Sequence, residues 1–203
     1  MMSENIVENE LNTLKLQITQ CKKCDLYKTK TNYVIGNGTL KPVILFIGEA
    51  PGFHEDQQGI PFVGRAGKVF DELLQSIGLT RNQVYVCNIL KCRPPENRNP
   101  HESEIKTCTP FLDKQIQILK PAIIGTLGNF ASSYILEKFG FKQEKIGQIH
   151  GKIYHIKNLI FESKIIPLYH PASAVYNSSM KPTLLNDFQI IASIASNTKK
   201  DIG

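Results

Sequence analysis

Residues 43–67 read VILFIGEAPGFHEDQQGIPFVGRAG, and the fold class turns on this stretch. Val43 to Ile47 is an unbroken apolar run bounded by Pro42 and Gly48, the pattern of a strand buried on both faces of a parallel sheet. Beyond Gly67, Val69, Phe70, Leu73, Leu74 and Ile77 recur at helical spacing, and Gly78 supplies a stop. The connection Gly48 to Gly67 therefore leaves the carboxyl end of the sheet, where open α/β folds bind their ligands. It carries the carboxylates of Glu49, Glu55 and Asp56 and the ring of Phe62, among glycines and prolines that let backbone approach a ligand. A solvated loop is the ordinary reading of such a segment. Pro61-Phe62-Val63 argues against it, because solvent would not hold apolar side chains in mid-loop, and connections this long in compact domains are more often functional.

Outward from that stretch, strand and helix alternate. Val84 to Leu90 predicts a second buried strand, running into a loop over Lys91 to Pro100. A helix is expected over 101–119, with Pro110 as a kink or boundary and Pro121 as its end. Ala122 to Gly125 reads as a third strand, and Phe130, Ala131, Tyr134, Ile135 and Phe139 mark the helix after it. Gly151 to Ile156 and Leu159 to Phe161 suggest a hairpin. Lys164 to Tyr169 is the last strand, leading to His170-Pro171-Ala172-Ser173. At the start, Val7, Leu11, Leu14 and Ile18 stripe a first helix ending near Gln20, followed by an irregular segment over 28–42. At the end, Leu184, Leu185, Phe188, Ile191 and Ala195 stripe a final helix before a polar tail, about 197–203. The expectation is one domain over residues 1–203: a three-layer α/β/α fold with a central, mainly parallel four-stranded sheet flanked by helices.

The chain has 203 residues, 41% hydrophobic and 21% charged, which is ordinary for a globular protein with a real core. Its net charge of +6 suits a polyanionic partner without demanding one. No apolar run approaches membrane-spanning length and no secretory leader opens the chain, so a cytoplasmic location is expected. In a reducing compartment, five cysteines argue for a metal or a reactive thiol rather than disulfides. Cys21 and Cys24 form a CxxC pair closing the first helix, and Cys92 and Cys108 lie far downstream. Four thiolates in two groups suit a tetrahedral zinc or an iron–sulfur site, and spacing alone does not separate the two. Cys87, inside an apolar strand, reads as a small buried hydrophobe.

Three strand ends converge on one rim: Glu49 after the first, Asn88 within the second, His170 after the last. An amide, an imidazole and the Phe62 ring are a recognition kit for a planar heterocycle, since Asn donates and accepts, His does either, and Phe offers a stacking face. Each residue singly is an ordinary turn or core residue; their shared location raises the joint case.

GEAPGFHEDQQGIPFVGRAG, followed by NILKCRPPENRNP, the four cysteines and HPAS, closely resembles the family 4 uracil-DNA glycosylases, which carry a [4Fe–4S] cluster. The match runs in order over roughly residues 15 to 195. The resemblance implies excision of uracil from DNA by cleavage of the N-glycosidic bond of a flipped-out nucleotide. It implies Cys21, Cys24, Cys92 and Cys108 as cluster ligands, with Cys87 outside the pattern. Phe62 would stack on uracil, Asn88 would pair with its O4 and N3–H edge, and His170 would donate to O2 as negative charge builds there. Glu49, Ala50 and Pro51 would complete the pocket. The best-known uracil glycosylases place a water-activating Asp two residues after the leading Gly, where this chain has Ala50. Another carboxylate must then serve, Glu55 being expected first, with Glu49 as a pocket wall that also disfavours the methyl group of thymine.

DNA contacts are expected from Arg65, Arg93 and Lys181, with Lys91 and Arg98 as further phosphate candidates and Val175 or Tyr176 as a wedge into the duplex. The expected partner is uracil-containing DNA, single- or double-stranded, met by a monomer. Two other readings stay open: a cluster-stabilised nucleic-acid-binding module without catalysis, and a broader glycosylase that also takes hypoxanthine or mismatched thymine.

Overall fold

A computed structural model describes residues 2–157 and 162–200, with the side chains of 5–157 and 162–196. Six strands form one sheet: β1 (Asn37–Gly38), β2 (Ile44–Gly48), β3 (Tyr85–Asn88), β4 (Ile123–Leu127), β5 (Tyr154–Lys157) and β6 (Glu162–Leu168). Their spatial order is β1-β3-β2-β4-β6-β5. The four inner strands, β3, β2, β4 and β6, are mutually parallel, as their unbroken apolar runs predict. The two edge strands lie outside the expected four, and both are antiparallel. β1 is too short to leave a pattern. It lies so close to its neighbour that a Cβ on Gly38 would sit 1.9 Å from the Val84 carbonyl oxygen. β5 is the first arm of the expected hairpin and pairs with β6 itself. Of the proposed second arm, Leu159 to Phe161 lie outside the described residues.

Nine helices are described: α1 (Met2–Thr19), α2 (Leu26–Thr29), α3 (Phe53–Gln58), α4 (Arg65–Ser76), α5 (Glu102–Leu119), α6 (Asn129–Lys138), α7 (Ile146–Ile149), α8 (Ala172–Tyr176) and α9 (Lys181–Lys200). The strands sort their side chains by period two. Leu45, Ile47, Cys87, Ile124 and Ile165 face one way, against Leu112 and Ile116 of α5, Ile135 and Leu136 of α6, and Ile149 of α7. Ile44, Phe46, Val86 and Ile166 face the other way, against Phe70, Leu73 and Leu74 of α4 and Leu184, Phe188 and Ile191 of α9. Three layers result, with α1 docked outside α5 through Leu14, Ile18 and Phe111.

Three local expectations change. The connection Gly48 to Gly67 is not loop throughout, because α3 forms inside it and stops at Gly59 in the left-handed conformation (φ 70°). Helix α5 runs through Pro110 rather than ending there. Pro110 and Lys106, the residue whose carbonyl it leaves without a helical partner, are both exposed. The loop over Lys91 to Pro100 contains a 3-10 turn at Pro95–Asn97.

Candidate active site

The carboxyl ends of β2, β3 and β6 open onto one cleft of about 470 Å³. Glu49, Ala50 and Pro51 line it as the chain leaves β2, Asn88 where β3 ends, and His170 just past β6. Phe62 and Glu55 reach it from the long connection, Asn97, Arg98 and Asn99 from the loop before α5, and Tyr176 from α8. The ring, amide and imidazole picked out in the sequence thus share a single cavity.

Phe62 is held in a left-handed backbone conformation (φ 57°), costly for a residue with a side chain and found where structure over-determines it. Three contacts do so. Arg81 donates from Nη1 to the Pro61 carbonyl (2.9 Å) and from Nη2 to the carbonyls of Phe62 and Gly67, while its Nε holds Asp71 at 2.5 Å. Glu55 Oε1 accepts from the backbone N–H groups of Val63 and Gly64 (2.9 and 2.8 Å). Gly67 supplies the room, since a Cβ there would stand 1.9 Å from the Phe62 oxygen. The ring that results is 5% exposed and lies 5.5 Å from the His170 ring at an interplanar angle of 28°. A base stacked between them would need two separations of roughly 3.5 Å. The gap between the two rings is therefore too narrow to be the slot for a base. Arg81 escaped the sequence reading: it belongs to no motif, and its signal is a lone basic residue in the turn before β3.

Asn88 is 2% exposed, and no hydrogen bond to its carboxamide forms among the described residues. The carboxamide opens onto the cleft, where a ligand or water can meet it; an amide sealed away unpaired would cost about 1–3 kcal/mol. Gly48, its register partner on β2, permits this arrangement. A Cβ at Gly48 would lie 2.4 Å from Asn88 Oδ1 and 2.7 Å from the Phe62 ring. His170 Nδ1 accepts the N–H of Ala172 (3.1 Å), so the ring proton resides on Nε2. Burial lowers the His170 pKa to about 4, although Glu55 pulls the other way. The imidazole is thus a neutral N–H donor at ordinary pH. Burial raises the pKa of Glu49.

Other candidates fall elsewhere. Asp56 is buried outside the cleft and accepts from the Thr31 N–H (2.9 Å) and the Asn32 N–H (3.3 Å), so it ties α3 to the preceding segment. Lys91 is not a phosphate contact: it is 1% exposed, with its ammonium on the Asn88 carbonyl and on Gln115. Arg98 pairs with Glu104 (2.6 Å), and Lys181 with Glu72 (2.6 Å). Arg93 donates to Asn97 Oδ1 (2.7 Å) and lies over the exposed ring of Phe53. Arg65 is exposed at the start of α4, and Tyr176 is 84% exposed at the cleft.

Cys21, Cys24, Cys92 and Cys108 line a second cavity, beside Tyr33, Lys91 and Phe111. Among the described residues no three His, Cys, Asp or Glu side chains meet as ligands of one ion would; the thiols stand around a space instead. Burial pushes the Cys92 thiol up to about 12, with Cys108 and Cys24 adding to the effect, and the Cys108 thiol up to about 11. Four thiols gathered where thiolates repel one another fit a cationic, sulfur-seeking group. Cys87 lies apart, fully buried in the face toward α5.

A family model described as the Uracil DNA glycosylase superfamily matches residues 35–189. A type-4 uracil-DNA glycosylase of Sulfurisphaera tokodaii is 44% identical over 193 residues, covering 95% of this chain and 88% of that protein. The chain belongs to the type-4 uracil-DNA glycosylases. Its likeness to other members is similar: the Archaeoglobus fulgidus protein is 43% identical over 91% of this chain and 92% of its own length. The Thermotoga maritima protein of the same type is 38% identical over 85% of this chain and 88% of its own. The matched span contains the whole cleft and two of its neighbouring cysteines, Cys92 and Cys108. Among the described residues no helix is long and apolar enough to cross a membrane.

Proposed function

We propose that this chain excises uracil from DNA, hydrolysing the N-glycosidic bond of a flipped-out deoxyuridine and leaving an abasic site. The observation that carries this reading is the Asn88 carboxamide, without a protein partner among the described residues and facing the cleft beside the Phe62 ring and a neutral histidine. The carboxamide can donate to O4 and accept from N3–H of uracil. Cytosine offers the opposite polarity at both atoms, which would leave buried polar groups unpaired. The base stacks on Phe62, and His170 meets its edge rather than its face.

As the glycosidic bond breaks, negative charge collects on the departing base, and His170 Nε2–H donates to O2. A neutral donor serves here without first having to lose or gain a proton. Donors aimed at developing charge typically contribute about 3–4 kcal/mol. The sugar meanwhile becomes cation-like. Glu49, without a protein partner among the described residues and made more basic by burial, stabilises that charge and orients the attacking water. Glu55 commits Oε1 to the Phe62 loop, so its part is to hold the stacking ring in place. The order expected from sequence, Glu55 before Glu49, is reversed in this reading.

Phosphate contacts are assigned to Arg65 and Arg93, chain neighbours of the cleft-lining Ala66 and Pro94, and to Lys181, which its pairing to Glu72 weakens. The thiols of Cys21, Cys24, Cys92 and Cys108 would hold a [4Fe–4S] cluster. Such a cluster would tie the segment after α1, the loop following β3 and α5 together, a structural role. The reading is tested with a uracil-bearing oligonucleotide: alkali-labile sites should form at uracil and not at cytosine. Pure, iron-loaded protein that leaves the strand intact would overturn it.

A further inference from the structure

We propose that Lys91 is the built-in counter-charge of the four-cysteine centre and the tether that joins this centre to Asn88. The proposal rests on the cluster reading above. Lys91 is 1% exposed, yet its ammonium donates to two neutral oxygens, the Asn88 carbonyl (2.7 Å) and Gln115 Oε1 (2.6 Å). Gln115 is itself fully buried, and its amide nitrogen donates to the Ile35 carbonyl (2.9 Å), which aims its oxygen at the ammonium. No carboxylate pairs with Lys91 among the described residues.

A buried ammonium with only neutral partners is among the costliest groups a core can hold, unless an anion lies close by. The anion is supplied next door. Lys91 borders the cavity of the four cysteines, and its backbone N–H donates to Cys108 Sγ (3.3 Å). Four thiolates around an iron–sulfur core leave a net negative charge, and in a low-dielectric interior that charge and the ammonium stabilise each other strongly. The same side chain grips the backbone of the residue whose amide faces the cleft. Lys91 is thus a positioning residue: the occupied centre holds the ammonium, and the ammonium holds Asn88.

Two variants test this, K91M and Q115E. The second is nearly isosteric and hands Lys91 a competing carboxylate, so the core keeps a satisfied pair. Both should fold by circular dichroism, lose iron faster to a chelator than the parent, and show a more negative midpoint potential. Uracil release should fall more in K91M, which also loses the tether, than in Q115E. A folded Q115E chain with parent-like iron retention and potential overturns the proposal, whatever K91M does. The iron content of the parent separates the two failures: a parent that holds zinc or no metal overturns the cluster reading first.

Discussion

The guanidinium of Arg81 grips the carbonyl oxygen of Phe62, a residue in the left-handed backbone region, and so fixes the stacking face of the cleft from behind. Arg81 itself does not touch the cavity. Its effect passes through main-chain oxygens, with Asp71 steering the fork.

Replacing Arg81 with Met should therefore spoil placement rather than chemistry. A displacement of about 1 Å at a reacting geometry costs on the order of 100-fold, so uracil release should fall by roughly that factor while DNA affinity changes little. R81K keeps the charge but not the fork and should recover only part of the loss. Equal activity of R81M and the parent in single-turnover assays would remove the positioning role.

Asn88→Ala should lower single-turnover uracil release by roughly 10–100-fold, the cost of about 1–3 kcal/mol for leaving the polar edge of the base unpaired. Discrimination against cytosine should shrink with it. Unchanged rates would show that the amide does not meet the base.

His170 yields a spectroscopic and a thermodynamic expectation. Nitrogen-detected NMR should find its proton on Nε2 and the ring neutral down to about pH 4. Because the folded value lies below that of the unfolded chain, near 6.5, the unfolded state binds the extra proton first. Stability should thus fall as pH drops from about 6.5 toward 4, and H170Q should flatten that part of the profile. A His170 ring titrating near 6.5 would contradict both. H170A should also slow base release by roughly 100- to 1,000-fold.

Gly48→Ala probes the approach of amide and ring. The new methyl group would collide with Asn88 Oδ1 and the Phe62 ring, so uracil release should drop sharply, while the melting temperature falls only modestly. Full activity in G48A would mean that neither side chain needs its observed position.

Cys92→Ser should strip the visible absorbance of the purified protein along with its iron, and Cys87→Ser should not. Retained iron in the Cys92 variant would place the centre elsewhere.

The inner strands were legible because burial on both faces writes itself as unbroken apolar runs, and the site because its residues sit where those runs stop. The edge strand β1 was not, since two residues cannot express a period. Helix α3 was hidden among the prolines and glycines that surround it. Arg81 and Lys91 were lost for a shared reason. Sequence alone assigns a basic side chain to solvent, and the true settings of these two depend on partners far along the chain: Phe62 for the one, Gln115 for the other. The contact of Glu55 with the Val63 and Gly64 amides could not be read from the sequence, because it exists only once the connection has folded back.

Asn88 ends β3 and His170 follows β6, and two further strands, β2 and β4, run between them. Three inter-strand spacings make roughly 14 Å, a gauge set by backbone pairing that no rotamer change can stretch. Enlarging the aperture for a bulkier base would require re-spacing the sheet, whereas exchanging one pyrimidine for another requires only new tips on the same jaws.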